Sequence, residues 1–135
     1  MKKLVFAFVV SLPLLGGCAQ LQKVQDFFQL ATGDVVPPQK ALVAIGAFDA
    51  IEVVGTRYIR LPVCPTSPVC RTPTITAQVI TWLKGGRADR DTLKAAIRAN
   101  PGQNLSLVSI YQDLGNTTAN IVQVIGPMAA TLSVK

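Results

Sequence analysis

The chain has 135 residues, half of them apolar, with thirteen Lys and Arg against seven Asp and Glu, a net charge of +6 and no histidine. That length accommodates one small domain with a modest core. The missing imidazole excludes Ser-His-Asp and Cys-His nucleophilic mechanisms and removes the commonest general base.

Lys2 and Lys3 open the chain, and Leu4 to Leu15 is apolar apart from Ser11 and Pro13. The run is roughly a dozen residues long, where a bilayer-spanning helix needs roughly 20. A basic start, a short apolar run and small residues at its end form the pattern of a secretory signal peptide. The closing residues Leu15-Gly16-Gly17-Cys18 resemble the lipobox of bacterial lipoproteins: a branched apolar residue, two small residues and a cysteine. The resemblance implies cleavage between Gly17 and Cys18, a diacylated (palmitate-type) thiol on Cys18 and usually an acylated new amino group. Ala19 stands where inner-membrane retention typically places aspartate, so the resemblance also implies the outer membrane, facing the periplasm. The alternative is an ordinary signal peptide, or an uncleaved anchor, in which Cys18 is incidental.

Ala19 to Ala31, "AQLQKVQDFFQLA", reads as a short helix with Leu21, Val24, Phe27 and Phe28 on one side. Gly33, Asp34 and Pro37-Pro38 break the pattern, making Thr32 to Gln39 a linker. The expected division is a signal peptide over 1–17, an anchor-proximal helix and linker over 18–39, and a helical domain over 40–135.

Gln39 to Leu61 reads as one long helix, with Ala41, Ala44, Ile45, Phe48, Ile51, Val54, Tyr58 and Leu61 forming an apolar stripe at helical spacing. Gly46, Ala47, Ala50 and Gly55 on the same helix would let another helix approach closely. The β-branched content also permits a strand over Ile51 to Val54, but the stripe outruns a typical strand. Pro62 ends the helix.

The loop "CPTSPVC" follows, Cys64 to Cys70. If Cys18 is lipidated, Cys64 and Cys70 remain as a pair, and export beyond the cytosol permits a disulfide. Free thiols are the alternative. A zinc site would need two further Cys or His ligands, and a thioredoxin-like motif has two residues between its cysteines, not five.

Thr72-Pro73 supplies an N-cap residue and a proline at the first helical position. The helix it opens, about Pro73 to Lys84, carries Ile75, Val79, Trp82 and Leu83 on one face and is expected to stop at Gly85-Gly86. Asp89 or Asp91 then caps a further helix with Leu93, Ala96 and Ile97, which Asn100-Pro101-Gly102 ends. A last helix starts at Ser106 and reaches at least Ile125 through Leu107, Ile110, Tyr111, Leu114, Ile121 and Val124. Gly115 to Thr118 interrupts its stripe, and Gly126-Pro127 should kink or end it. The segment Ile121 to Val134 is too short and too proline-broken to span a membrane. The predicted fold is all-α, a small antiparallel helical bundle with one disulfide-clipped loop.

Of the carboxylates, Asp49 and Glu52 sit three apart and could form a catalytic pair, but a solvated helix face is the plainer reading. No catalytic residues, metal or cofactor are therefore assigned. The other charge feature is basic: Arg57, Arg60, Arg71, Lys84, Arg87, Arg90, Lys94 and Arg98 fall in the middle of the chain against Asp89 and Asp91. They are candidate anion-binding residues, and the alternative is a solvated surface that keeps the body soluble. Tyr58 and Trp82 read as core aromatics.

Together these features predict a non-enzymatic structural or interaction module, held to the membrane through lipid on Cys18. Its expected partners are anionic envelope polymers or an envelope protein, with no nucleic acid. In size and lipobox the chain also resembles the outer-membrane partner of phage spanin complexes, a lysis or exclusion lipoprotein, although those partners tend to be shorter and proline-rich without a folded core. The stretches "YIRLPVCPTSPVCR" and "GGRADRDTLKAAIRANPG" look like those of small bacterial proteins of the alphaproteobacterial type, a resemblance that implies no activity.

Overall fold

The computed structural model describes residues 34–133. The signal-like segment, the lipobox ending at Cys18 and the candidate helix Ala19 to Ala31 lie outside the described residues. Three helices pack pairwise against one another: α1 (Pro38–Ile59), α2 (Pro73–Ala99) and α3 (Val108–Ser133). The fold is the predicted all-α antiparallel bundle, with the Cys64–Cys70 disulfide in the loop between α1 and α2.

Each helix is built on apolar spacing of three and four. In α3 the buried stripe is Tyr111, Leu114, Thr118, Ile121, Ile125 and Leu132, with Met128 packed beside it. That is a heptad stripe, the pattern that lets near-parallel helices interdigitate. In α1, Ala41, Ala44, Phe48, Gly55 and Tyr58 form the buried stripe, and in α2 Thr76, Val79, Leu83, Gly86 and Leu93 do so. Pro38 and Pro73 occupy first-turn positions, where a missing N–H costs nothing. Thr72 is the N-cap of α2, as expected, but its side chain makes no capping bond. Its Oγ is buried without a partner, while its backbone N–H donates to the Tyr58 hydroxyl at 3.0 Å.

Four expectations are corrected. Gly85-Gly86 does not stop a helix; α2 runs unbroken from Pro73 to Ala99. The reason lies in α1: a Cβ on Gly86 would sit 2.6 Å from Cζ of the fully buried Phe48, so the glycine leaves the room that the Phe48 ring fills. Asp89 and Asp91 consequently cap nothing and lie in mid-helix. Gly115 to Thr118 does not interrupt the α3 stripe, because Gly115 and Thr118 are buried and the Thr118 hydroxyl donates to the Leu114 carbonyl at 2.7 Å; the helix runs through them to Ile125 as expected. Finally, α3 passes through Pro127. Met128 and Leu132 beyond it still pack on the core, and Arg57 Nη1 donates to the Leu132 carbonyl at 2.5 Å. Those contacts offset the lost backbone bond.

Two smaller differences concern the ends. The folded body begins inside the stretch read as a linker: Val36 is fully buried and exchanges backbone hydrogen bonds with Leu105 at 2.7 and 2.9 Å. The last helix starts at Val108, two residues after Ser106. As predicted, α2 ends before Asn100-Pro101-Gly102, and Gly102 takes φ +74° in the turn, a conformation glycine adopts freely.

The topology is up-down-up. Residue 34, the end of α2 and the start of α3 share one pole. The disulfide loop, the start of α2 and the end of α3 share the other. A helix of the length of α1 separates the poles by about 33 Å.

Candidate functional site

The basic residues of the middle of the chain do not form one surface. Arg87, Arg90 and Lys94 lie one turn apart on α2, facing Asp49 and Glu52 of α1. Arg87 Nε meets Glu52 Oε1 at 2.6 Å, Arg90 Nη1 meets Glu52 Oε2 at 2.6 Å and Asp49 Oδ1 at 3.1 Å, and Lys94 Nζ meets Asp49 Oδ2 at 3.2 Å. Arg90 Nε adds Asp91 Oδ1 at 3.0 Å. Each α1 carboxylate thus bridges two α2 cations. Asp49 and Glu52 thus lie on a helix face that is still in contact with water, 42% and 21% exposed, but paired with cations rather than forming an open acid pair.

Arg90 is the centre of this network. It continues the α2 stripe one turn after Gly86, and its side chain is 18% exposed. Its guanidinium carbon lies 5.9 Å from the centroid of the Phe48 ring, a cation–π distance. The hydrogen bond to Asp91, and after it the bond to Asp49, hold its proton more firmly, against the opposing pull of desolvation.

Elsewhere on α2, burial raises the Asp89 carboxyl above its ordinary value, and the negative charge of Asp113 on α3 adds to the rise. Burial likewise pushes up the Tyr111 phenol. Among the described residues no group of three or more His, Cys, Asp or Glu could hold a metal ion.

Lys84 and Arg98 are exposed and lie about 21 Å apart along α2; the Arg98 Nε donates to the Lys94 carbonyl at 3.2 Å. The three remaining arginines, Arg57, Arg60 and Arg71, converge on the disulfide pole. Arg71 clamps the loop twice. Its backbone N–H donates to the Pro62 carbonyl at 2.9 Å and its carbonyl accepts from Cys64 N at 3.1 Å, while its Nε donates to the Leu61 carbonyl at 2.9 Å. The disulfide closes the same loop with the Cα atoms 5.1 Å apart. Arg60, exposed just after α1, and Arg71 take part in none of the ion pairs among the described residues. The bond to the Leu61 carbonyl positions the Arg71 guanidinium without cancelling its charge, so Arg60 and Arg71 make this pole cationic.

Comparisons with protein-family models, curated proteins and solved structures returned no match. Function is therefore read from the residues themselves. Of the eight candidate anion-binding residues, the geometry groups Arg57, Arg60 and Arg71, pairs off Arg87, Arg90 and Lys94, and leaves Lys84 and Arg98 apart. Sequence reasoning missed the pairing because it counted charges along the chain, where Asp49 and Glu52 are distant from Arg87. The available signal was the antiparallel alignment of α1 and α2, which brings those positions level.

Proposed function

We propose that the chain is an outer-membrane-anchored periplasmic lipoprotein whose helical body is a non-enzymatic structural or interaction module of the cell envelope. The observation that carries this reading is Leu15-Gly16-Gly17-Cys18 behind a basic start and a short apolar run. Each buried acyl methylene contributes about 0.8 kcal/mol, and two or more chains hold where one does not. The cationic disulfide pole supports the second half of the reading: a rigid end bearing Arg57, Arg60 and Arg71 attracts anionic envelope polymers or an acidic protein surface. No helix among the described residues is long and apolar enough to cross a membrane.

The test is the intact mass and membrane fractionation of the protein from a Gram-negative host, beside Cys18→Ser. A mature chain starting at Cys18 with added acyl mass, in the outer-membrane fraction and absent from it in the variant, is expected. An unlipidated product cleaved elsewhere would overturn the reading.

A further inference from the structure

The outward side of α1 is apolar where that of α3 is polar. Leu42, Val43 and Val53 are 54%, 56% and 53% exposed, and the exposed Gly46 and Ala50 lie between them. Asp49 and Glu52 flank this stretch but turn to Arg87, Arg90 and Lys94 of α2. On α3 the exposed residues Gln112, Asn116, Asn120 and Gln123 take the same outward positions. The α1 stripe ends in positive charge at both poles. Two helical turns after Val53 comes Arg60, exposed and still in helical conformation at φ −86° and ψ −6°. At the other end, the seam between α1 and α2 opens into a groove of about 240 Å³ lined by Leu42, Ile97, Lys94 and Arg98. Arg60 and Arg98 take part in none of the ion pairs among the described residues.

We propose that this side of α1 lies against a phospholipid bilayer with anionic headgroups. Leu42, Val43 and Val53 enter the boundary between headgroups and acyl chains, while Arg60 and Arg98 meet lipid phosphates at the two ends. An apolar strip bounded by cations is the pattern of a helix that lies in a membrane interface, and basic side chains near an anionic surface add to its attraction. The groove repeats the pattern on a smaller scale. The aliphatic side chains of Leu42 and Ile97 stand beside Lys94 and Arg98, an arrangement that suits a molecule carrying phosphate directly above an acyl chain.

Area and charge both favour a lipid surface over a second copy of the chain. The apolar stretch is about 17 Å long on a helix about 10 Å wide, a footprint well short of the about 800 Å² per partner that a stable dimer buries. Two copies paired antiparallel through Gly46 and Ala50 would also bring the Arg60 end of each to the Arg98 end of the other, cation against cation. An anionic surface meets both ends with opposite charge. The inference rests on the lipoprotein reading, in which lipid on Cys18 holds the body at the membrane. Between Cys18 and Asp34 the chain reaches at most about 55 Å, and within that reach a weak contact suffices, because docking is intramolecular once the anchor is in place.

The test is tryptophan fluorescence of the full-length protein in phosphatidylcholine–phosphatidylglycerol vesicles whose acyl chains carry bromine as a quencher. Trp82 is the one tryptophan of the chain and supplies the background. Val43→Trp puts a reporter on the α1 stripe and Asn116→Trp puts one on the polar face of α3. The reporter at position 43 is expected to be quenched well beyond the one at position 116. Arg60→Gln and Arg98→Gln are each expected to lower the ratio of docked to undocked protein about fivefold, and added salt is expected to lower it as well. Equal quenching of the two reporters, quenching of neither, or quenching indifferent to both arginine substitutions would overturn the proposal. A signal at position 43 that changes with protein concentration in the absence of vesicles would assign the face to a second copy and overturn it too. Lipid on Cys18 is read by mass in the same samples. A chain without it is titrated with the same vesicles, and the same difference between the reporters is expected at higher lipid concentration, so the two readings fail separately.

Discussion

Adjacent glycines in α2 make opposite predictions for the same substitution. Gly85 is exposed and a Cβ there meets nothing within 4 Å; at Gly86 it would meet Phe48 at 2.6 Å. Alanine is better than glycine in a helix interior by about 1 kcal/mol, so Gly85→Ala should stabilise the body by about that amount. At Gly86 the same gain is opposed by overpacking, about 1–3 kcal/mol in a filled core. Phe48 cannot swing clear, since it is wholly buried between the helices and lies under Arg90. Gly86→Ala should therefore be less stable than Gly85→Ala by about 1–3 kcal/mol, and itself neutral or destabilised. Thermal unfolding followed by circular dichroism reads the difference. In a body of this size 1 kcal/mol moves Tm by about 4–8 °C, so Gly85→Ala should melt above wild type and Gly86→Ala at least about 4 °C below Gly85→Ala. Adding Phe48→Leu to Gly86→Ala should cost less than the two singles together, because the smaller side chain relieves the clash. Equal melting temperatures for the two alanine variants would refute the packing of the Phe48 ring against Gly86.

Three further perturbations probe the rest of the body. Arg90→Met removes the link shared by Asp49 and Glu52 and should cost about 1–3 kcal/mol by denaturant titration, with a smaller loss in 1 M salt; an unchanged midpoint would show the network to be inert. Replacing Cys64 and Cys70 with serine opens a short loop and should lower stability by about 2 kcal/mol while leaving helical content intact; loss of the helical signal at room temperature would contradict a role confined to the loop. Because Asp89 has a raised pKa, the folded state holds its proton longer than the unfolded chain does. Its contribution therefore falls as pH rises from the ordinary carboxylate value through the raised one. Asp89→Asn should remove that fall, so the variant gains on wild type with rising pH; a variant less stable than wild type at neutral pH would contradict this sign.

The parts of the fold that were legible in the sequence are those fixed by local chemistry. Pro37-Pro38 and Pro62 bracket α1, Thr72-Pro73 opens α2, and Asn100-Pro101-Gly102 closes it, each through the dihedral or hydrogen-bond limits of its own residues. What was not legible depends on a neighbour. Gly86 is helical because Phe48 fills the space beside it, and Arg90 completes the α2 stripe because Asp49 and Glu52 meet it from α1. The stripe Thr76, Val79, Leu83, Gly86, Arg90, Leu93, Ile97 runs unbroken only once a glycine and an arginine are accepted as core positions. Pro127 likewise does not end α3, since Met128 and Leu132 beyond it still pack on the core. The grouping of Arg57, Arg60 and Arg71 depended on a turn geometry that spacing alone does not supply.

The ion network also bears on handedness. Three helices running up, down and up can close with the third on either side of the first pair, and apolar stripes alone distinguish the two mirror arrangements poorly. Asp49, Glu52, Arg87, Arg90 and Lys94 occupy one side of the α1–α2 seam, and α3 takes the other. In the mirror bundle α3 would lie across them and strip their water, a cost of several kcal/mol per ion that mutual attraction repays only in excellent geometry. The same charges that tie α1 to α2 in the native bundle thus also weigh against its reflection.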